Sequence, residues 1–200
     1  FILIAAHYDI KRFNFIKDFQ GANDGASGVA ALLGMISALQ KYEGELPCGI
    51  KFVFFDGEEC IEEYGPADGL HGSRRLAKEW SENGLLKKCR AMILLDMVGD
   101  KDLTITIPKG CTKSLIDRTL RLAQENGLGS RFRVFESDMI DDHVPFLEKG
   151  VPAIDLIDFN YGPGNAFWHT TQDSLDKISA QSIKTVADFA FGLYWDIAED

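Results

Sequence analysis

Glu58 and Glu59 stand side by side just after the apolar run IKFVFF and the pair Asp56-Gly57. Adjacent glutamates are ordinarily a solvated surface feature, but here they follow a segment that reads as a buried strand. The same kind of position recurs along the chain. His7 and Asp9 follow FILIAA, Asp96 ends AMILLD, and His169 lies in WHTTQD, in the loop after PAIDLI. Asp24, in GANDGASG, sits just ahead of the first amphipathic stretch. Each has an ordinary explanation alone: Asp24 as a helix N-cap, His7 as a satisfied core histidine, Asp96 as a strand end. Together they gather on one rim. Two imidazoles and three carboxylates without a cysteine form a donor set for zinc, or for two zinc ions sharing a carboxylate. One member of the glutamate doublet can then serve as ligand while its neighbour, uncoordinated, carries a proton. Asp9, two residues beyond His7, can accept from the other ring nitrogen and fix its tautomer.

These groups converge only if the apolar runs share one direction. FILIAA (1–6), IKFVFF (50–55), AMILLD (91–96) and PAIDLI (152–157) are short and not strictly alternating, as strands covered on both faces are. Amphipathic stretches at 27–42, 72–84 and 112–127 separate them, the last two closing near glycine. A long helix is expected after Ser179, which would cap it, and LTITIP (103–108) alternates like an extra or edge strand. Strands alternating with helices predict a three-layer α/β/α sandwich whose ligands bind beyond the carboxyl ends of the strands.

The chain has 200 residues, 46% of them apolar, enough for one domain spanning 1–200. Phe1 opens directly on a strand, so further strands of the same sheet are expected upstream. A net charge of −10 argues against nucleic acid or an anionic membrane as partner. No apolar run approaches the roughly 20 residues of a membrane span. Cys48, Cys60, Cys89 and Cys111 are sparse and irregular, and read as free thiols. Ser27, in GASGV, lacks the G-x-S-x-G spacing of a hydrolase nucleophile.

AHYD (6–9), GANDGASGVA (21–30), FFDGEE (54–59), GSRRLA (72–77), LLDMVG (94–99), DDHVPF (141–146), GVPAIDLI (150–157) and WHTTQDSLDKIS (168–179) occur in an order that resembles the zinc-dependent M28 peptidase superfamily. That group contains aminopeptidases and glutaminyl-peptide cyclotransferases. The resemblance implies a mixed, mostly parallel, twisted eight-stranded sheet of the zinc exopeptidase type. It also implies that Asp24, Glu59 and His169 hold one zinc, and that His7, Asp96 and the shared Asp24 hold a second in the aminopeptidase branch. Glu58 matches the proton-shuttling acid/base.

Three features resemble the cyclases: the insertion CIEEYGPADGLH after the doublet, Asp141 before Asp142-His143, and Trp168 as an aromatic wall for the substrate. Three depart from the animal cyclases: Ala6 stands in place of a disulfide cysteine, Asp155 in place of a histidine, and GANDGASGVA is aminopeptidase-like. The resemblance therefore implies a cyclase turning N-terminal glutamine into pyroglutamate with release of ammonia, using one zinc, with Asp96 and Asp141 orienting the reacting groups. The alternatives are a two-zinc aminopeptidase and an inactive binding domain of the same fold. Either enzyme acts on peptide N-termini, and the resemblance implies a secreted or periplasmic setting. His143 is expected to orient Asp141 or to stabilise its loop, and His71 to be a polar loop residue.

Overall fold

A computed structural model describes residues 1–199. Four strands, β1 (Ile2–His7), β2 (Ile50–Phe55), β3 (Ala91–Asp96) and β6 (Ala153–Ile157), form a parallel sheet in the order β2-β1-β3-β6. Two short strands, β4 (Ile105–Ile107) and β5 (Phe132–Val134), pair in parallel beside it. Thr106 ties this pair to β6, its hydroxyl donating to Ile157 O (3.1 Å) and accepting from Phe159 N (3.0 Å). The helices are α1 (Ala26–Leu39), α2 (His71–Glu82), α3 (Lys113–Glu125), the single turn α4 (Val144–Leu147), and α5 (Ala180–Ala198).

Alternate residues of each strand enter different cores, which is why the strands read as continuous apolar runs. Ile2, Ile4, Ile93, Leu95, Ile154 and Leu156 pack with residues of α1, α3 and α5. Leu3, Ala5, Met92, Leu94 and Ala153 pack with Ala77 of α2 and Phe146 of α4. The expected α/β/α layering is therefore present. The resemblance implied eight strands; the described residues supply six, every ladder among them parallel. LTITIP contributes β4, in the two-stranded sheet. Ser179 caps α5, its Oγ accepting from the amides of Gln181 (3.2 Å) and Ser182 (3.4 Å). All four cysteines are free, and no helix among the described residues is long and apolar enough to cross a membrane.

Gly28 seats α1 over the ends of β1 and β3. A Cβ there would lie 2.4 Å from Leu95 O and 2.9 Å from the Ala6 Cβ. Because a backbone carbonyl cannot step aside cheaply, Gly28→Ala should lose roughly 1–3 kcal/mol of stability. Urea denaturation would show this as a lowered midpoint; an unchanged midpoint would mean that α1 tolerates displacement.

Candidate metal centre

All four strands of the larger sheet run the same way, so their carboxyl ends share one edge. His7 and Asp96 are the last residues of β1 and β3. Glu58 and Glu59 follow β2, Asp24 lies in the turn before α1, and His169 is in the loop beyond β6. Asp24 joins two donor groups. Its Oδ1 lies 3.4 Å from His7 Nε2, which is 3.0 Å from Asp96 Oδ1. Its Oδ2 lies 3.2 Å from His169 Nε2, itself 3.2 Å from Glu59 Oε1. Within each trio, His7-Asp24-Asp96 and Asp24-Glu59-His169, the donor atoms lie within 4.8 Å of one another.

The donor set fits a divalent cation. Asp24 Oδ2 and Glu59 Oε2 are buried and make no well-formed hydrogen bond, facing only His169 Nε2 at 3.2 Å and the Lys11 ammonium at 3.6 Å, and under-satisfied carboxylate oxygens converging with imidazole nitrogens are what a bound metal would satisfy. Asp24 is also not the helix cap. Gly25 takes that position, and no side chain caps α1. Instead Asp24 is itself held from behind, because Asp173 accepts from the amides of Asn23 (2.7 Å) and Asp24 (3.1 Å) and from the Tyr161 hydroxyl (3.0 Å).

Asp9 orients the site differently from the expected side-chain contact. His7 Nδ1 donates to the main-chain carbonyl of Asp9 (3.1 Å), while the Asp9 carboxylate stands 3.7 Å away. A carbonyl only accepts, so the proton sits on Nδ1 and Nε2 faces the acids. The Asp9 carboxylate instead accepts from the amides of Glu58 (3.0 Å) and Glu59 (3.1 Å), fixing the turn that sends the two glutamates apart. Two non-glycine residues at the centre have left-handed backbone, His169 with φ 55° and Met97, next to Asp96, with φ 48°. Such conformations cost about 1–3 kcal/mol and persist where the surroundings enforce them.

Glu58 belongs to neither trio. It borders a cavity of about 340 Å³ shared with Tyr64, Asp96, Asp141, Phe159 and Trp168. The Tyr64 hydroxyl donates to Glu58 Oε1 (2.9 Å). Burial, then the neighbouring acids Asp142, Glu59 and Asp96, push the Glu58 carboxyl well up against the opposing pull of His7. Trp168 lies over the His169 ring (4.0 Å between centroids, planes at 21°) and meets Phe159 edge-on at 4.9 Å, forming a wall of the cavity. Phe167 packs against Tyr161.

Asp141 borders the cavity and leads to a deeper acid cluster. Asp142, His143 and Asp155 are all buried, with His143 Nδ1 3.8 Å from Asp155 Oδ2. Burial pushes both Asp141 and Asp155 well up, helped by the charges of Asp155 and Asp96 at Asp141 and of Asp96 at Asp155, where a hydrogen bond with Asp141 pulls the other way. Burial lowers His143 to about 4, so at neutral pH it is an uncharged imidazole. It stands at the N-cap of α4, where its backbone carbonyl receives the amides of Phe146 (3.2 Å) and Leu147 (3.1 Å), while its ring Nδ1 makes no hydrogen bond. His71 is exposed and opens α2. Ser27 is buried, donating to Asn23 O (2.6 Å) and accepting from Val98 N (2.9 Å). It is a structural tie between α1 and the turn after β3.

Comparison with known proteins places this geometry. The profile of peptidase family M28 matches residues 1–193. The chain belongs to peptidase family M28. A glutaminyl-peptide cyclotransferase of Drosophila melanogaster is 32% identical over 94% of this chain and 58% of its own length. The glutaminyl cyclase of an Acidobacteriales bacterium superposes with a TM-score of 0.90 at 38% identity, covering 99% of this chain and 69% of that one. A Zn-dependent exopeptidase from Parabacteroides distasonis is also similar in structure, with a TM-score of 0.80, 26% identity, and coverage of 98% of this chain and 73% of that one. The chain spans 58%, 61% and 51% of the length of three curated relatives that it matches.

Sequence reasoning brought the five ligand candidates and Glu58 to one rim, where the structure has them. It missed Tyr64 and Asp173, whose roles depend on contacts across loops. Asp142 was visible only as a neighbour of Asp141.

In the metal-free protein the acids raise both histidines. Burial works against His7, but Asp96, Asp24 and Asp9 outweigh it, and Asp24 and Glu59 lift His169 to about 9. His169 therefore holds a second proton at pH 7.5 that a metal must displace, and His7 is shifted in the same direction. Zinc titration of the metal-free protein should release protons, and apparent affinity should rise with pH until about 9, where His169 loses its proton unaided. Calorimetry in two buffers of different ionisation enthalpy measures the release; identical heats would contradict this proton balance.

Proposed function

We propose that residues 1–200 form the catalytic domain of a zinc-dependent glutaminyl-peptide cyclotransferase that converts N-terminal glutamine into pyroglutamate. The observation carrying this reading is Glu58, uncoordinated beside the Asp24-Glu59-His169 trio and facing a cavity bordered by Asp141 and walled by Trp168. The cyclotransferase and cyclase relatives support it. Asp24, Glu59 and His169 would hold one zinc, which when bound supplies a Lewis acid to the side-chain amide carbonyl of the substrate.

The chain's own residues perform the rest. The net charge of −10 favours capture of a protonated peptide N-terminus. Trp168 and Phe159 cover the glutamine side chain and exclude water, which is not a reactant. Once the terminus has lost its extra proton, its nitrogen attacks the amide carbon. Glu58 takes a proton from that nitrogen and returns it to the departing amide nitrogen, so the ring closes as ammonia leaves. Asp96 and Asp141, which line the same cavity, orient the amine and the amide nitrogen. Burial pushes the Glu58 carboxyl up, which strengthens it as a base, as a proton shuttle requires.

One observation favours a second reading. His7, Asp24 and Asp96 form a complete second donor set, which suits a two-zinc aminopeptidase in which Glu58 deprotonates a water. An inactive binding domain would have no need of either set.

The readings separate on product. The cyclotransferase releases ammonia from a Gln-initiated peptide, loses that activity to a chelator and regains it with zinc. Glu58→Gln should retain its zinc yet lose roughly 10²–10⁴ in rate. Hydrolysis of a leucine anilide without ammonia release would transfer the assignment to the aminopeptidase.

A further inference from the structure

Residues 60–69, the stretch that follows the glutamate doublet, fold into a short arm whose own interactions aim one side chain into the cavity. The Asp68 carboxylate accepts from three successive amides, those of Ile61 (2.7 Å), Glu62 (2.9 Å) and Glu63 (3.2 Å). Gly65 and Asp68 exchange main-chain hydrogen bonds at 3.0 and 3.2 Å, and Arg74 of α2 donates to Gly65 O at 2.5 Å. Most of the arm faces solvent, with Ile61, Glu62 and Glu63 exposed. Tyr64 turns inward.

Its ring lies against Gly69, where φ is +75° and a Cβ would come within 2.5 Å of the ring. Lys11 Nζ sits 5.9 Å from the ring centroid on the arm's other contact, and also donates to Cys60 O. The hydroxyl then reaches Glu58 Oε1 at 2.9 Å. If packing were its only use, phenylalanine would fill this place as well. A hydroxyl brought to a buried carboxylate by a dedicated arm has a different consequence: Oε1 is occupied by a donor, and Oε2 is the oxygen left to exchange protons with substrate.

We infer that Tyr64 is a positioning residue for Glu58, and that the arm closed by Asp68 exists to hold it there. The inference rests on the reading of Glu58 as acid/base. Tyr64 acts through Glu58, so its removal should slow turnover more than it weakens binding. A hydrogen bond to a charged group, once lost from a desolvated site, corresponds to about a ten- to hundredfold change.

The test is steady-state kinetics with a Gln-initiated peptide on zinc-loaded protein, with zinc content measured for each variant. Tyr64→Phe should lower kcat about ten- to hundredfold, with KM within about twofold and zinc content unchanged. On a Glu58→Gln background the same substitution should have little further effect, because the two act as a unit. Asp68→Ala, remote from the zinc ligands, should shift kcat in the same direction and add little to Tyr64→Phe. It also supplies the answer should Tyr64→Phe fail to fold. Wild-type kcat in Tyr64→Phe, or a full multiplicative loss on the Glu58→Gln background, would overturn the inference while leaving the cyclotransferase reading in place. Wild-type rate in Glu58→Gln itself would instead remove the reading on which it rests.

Discussion

Burying many carboxylates at one edge of a sheet is the constraint on which the rest of this structure depends. Asp24, Glu58, Glu59, Asp96, Asp141, Asp142 and Asp155 are all buried. Two like charges 4 Å apart repel by about 4 kcal/mol at an effective dielectric near 20, so they cannot all be ionised unless something positive stands among them. The protein answers in two ways. Asp24 faces two imidazoles, which outweigh the cost of its burial and hold its carboxyl below the ordinary range. Away from the imidazole pair, Glu58, Asp141 and Asp155 are pushed up first by burial and then by the charge of neighbouring acids, so each holds a proton more tightly than an ordinary carboxyl. The first group offers a cation its donors and the second binds protons tightly, so the edge divides into a half suited to metal and a half suited to proton handling.

The boundary between those halves runs between two consecutive residues. Glu59 turns toward Asp24 and His169, and Glu58 toward the cavity and Tyr64. Asp9 enforces the split by accepting from both of their amides. The same economy appears on the other side, where Asp173 fixes the turn carrying Asn23 and Asp24, and Asn23 Oδ1 in turn accepts from Gly99 N (2.7 Å), just after β3. Strained backbone at Met97 and His169 completes a site in which orientation is set by the surrounding framework rather than by the ligands' own preferences.

How far this was legible in the sequence depended on whether a feature is local. The four strands of the larger sheet announced themselves as apolar runs because both faces are covered, and Ser179 marked the start of α5 by a contact two and three residues away. β5 left no such mark: two of its three residues, Arg133 and Val134, are exposed. Asp24 read equally well as a cap or a ligand, and only the position of Gly25 at the helix start separates the two. Asp9 was placed beside His7 correctly, but its carboxylate goes to residues 49 and 50 positions away, which spacing alone does not reveal. Tyr64 is the largest omission. Its side chain is aimed by a loop held together by Asp68, and no periodicity encodes that.

The central claim is that ligands from three separate segments, Asp24, Glu59 and His169, surround a divalent cation with Glu58 left free. X-ray data collected on either side of the zinc absorption edge, from crystals grown with zinc, test it most directly. The account predicts an anomalous peak bonded to Asp24, Glu59 and His169, with Glu58 outside bonding distance. Zinc bound elsewhere, or a peak that takes Glu58 as a ligand, would contradict it.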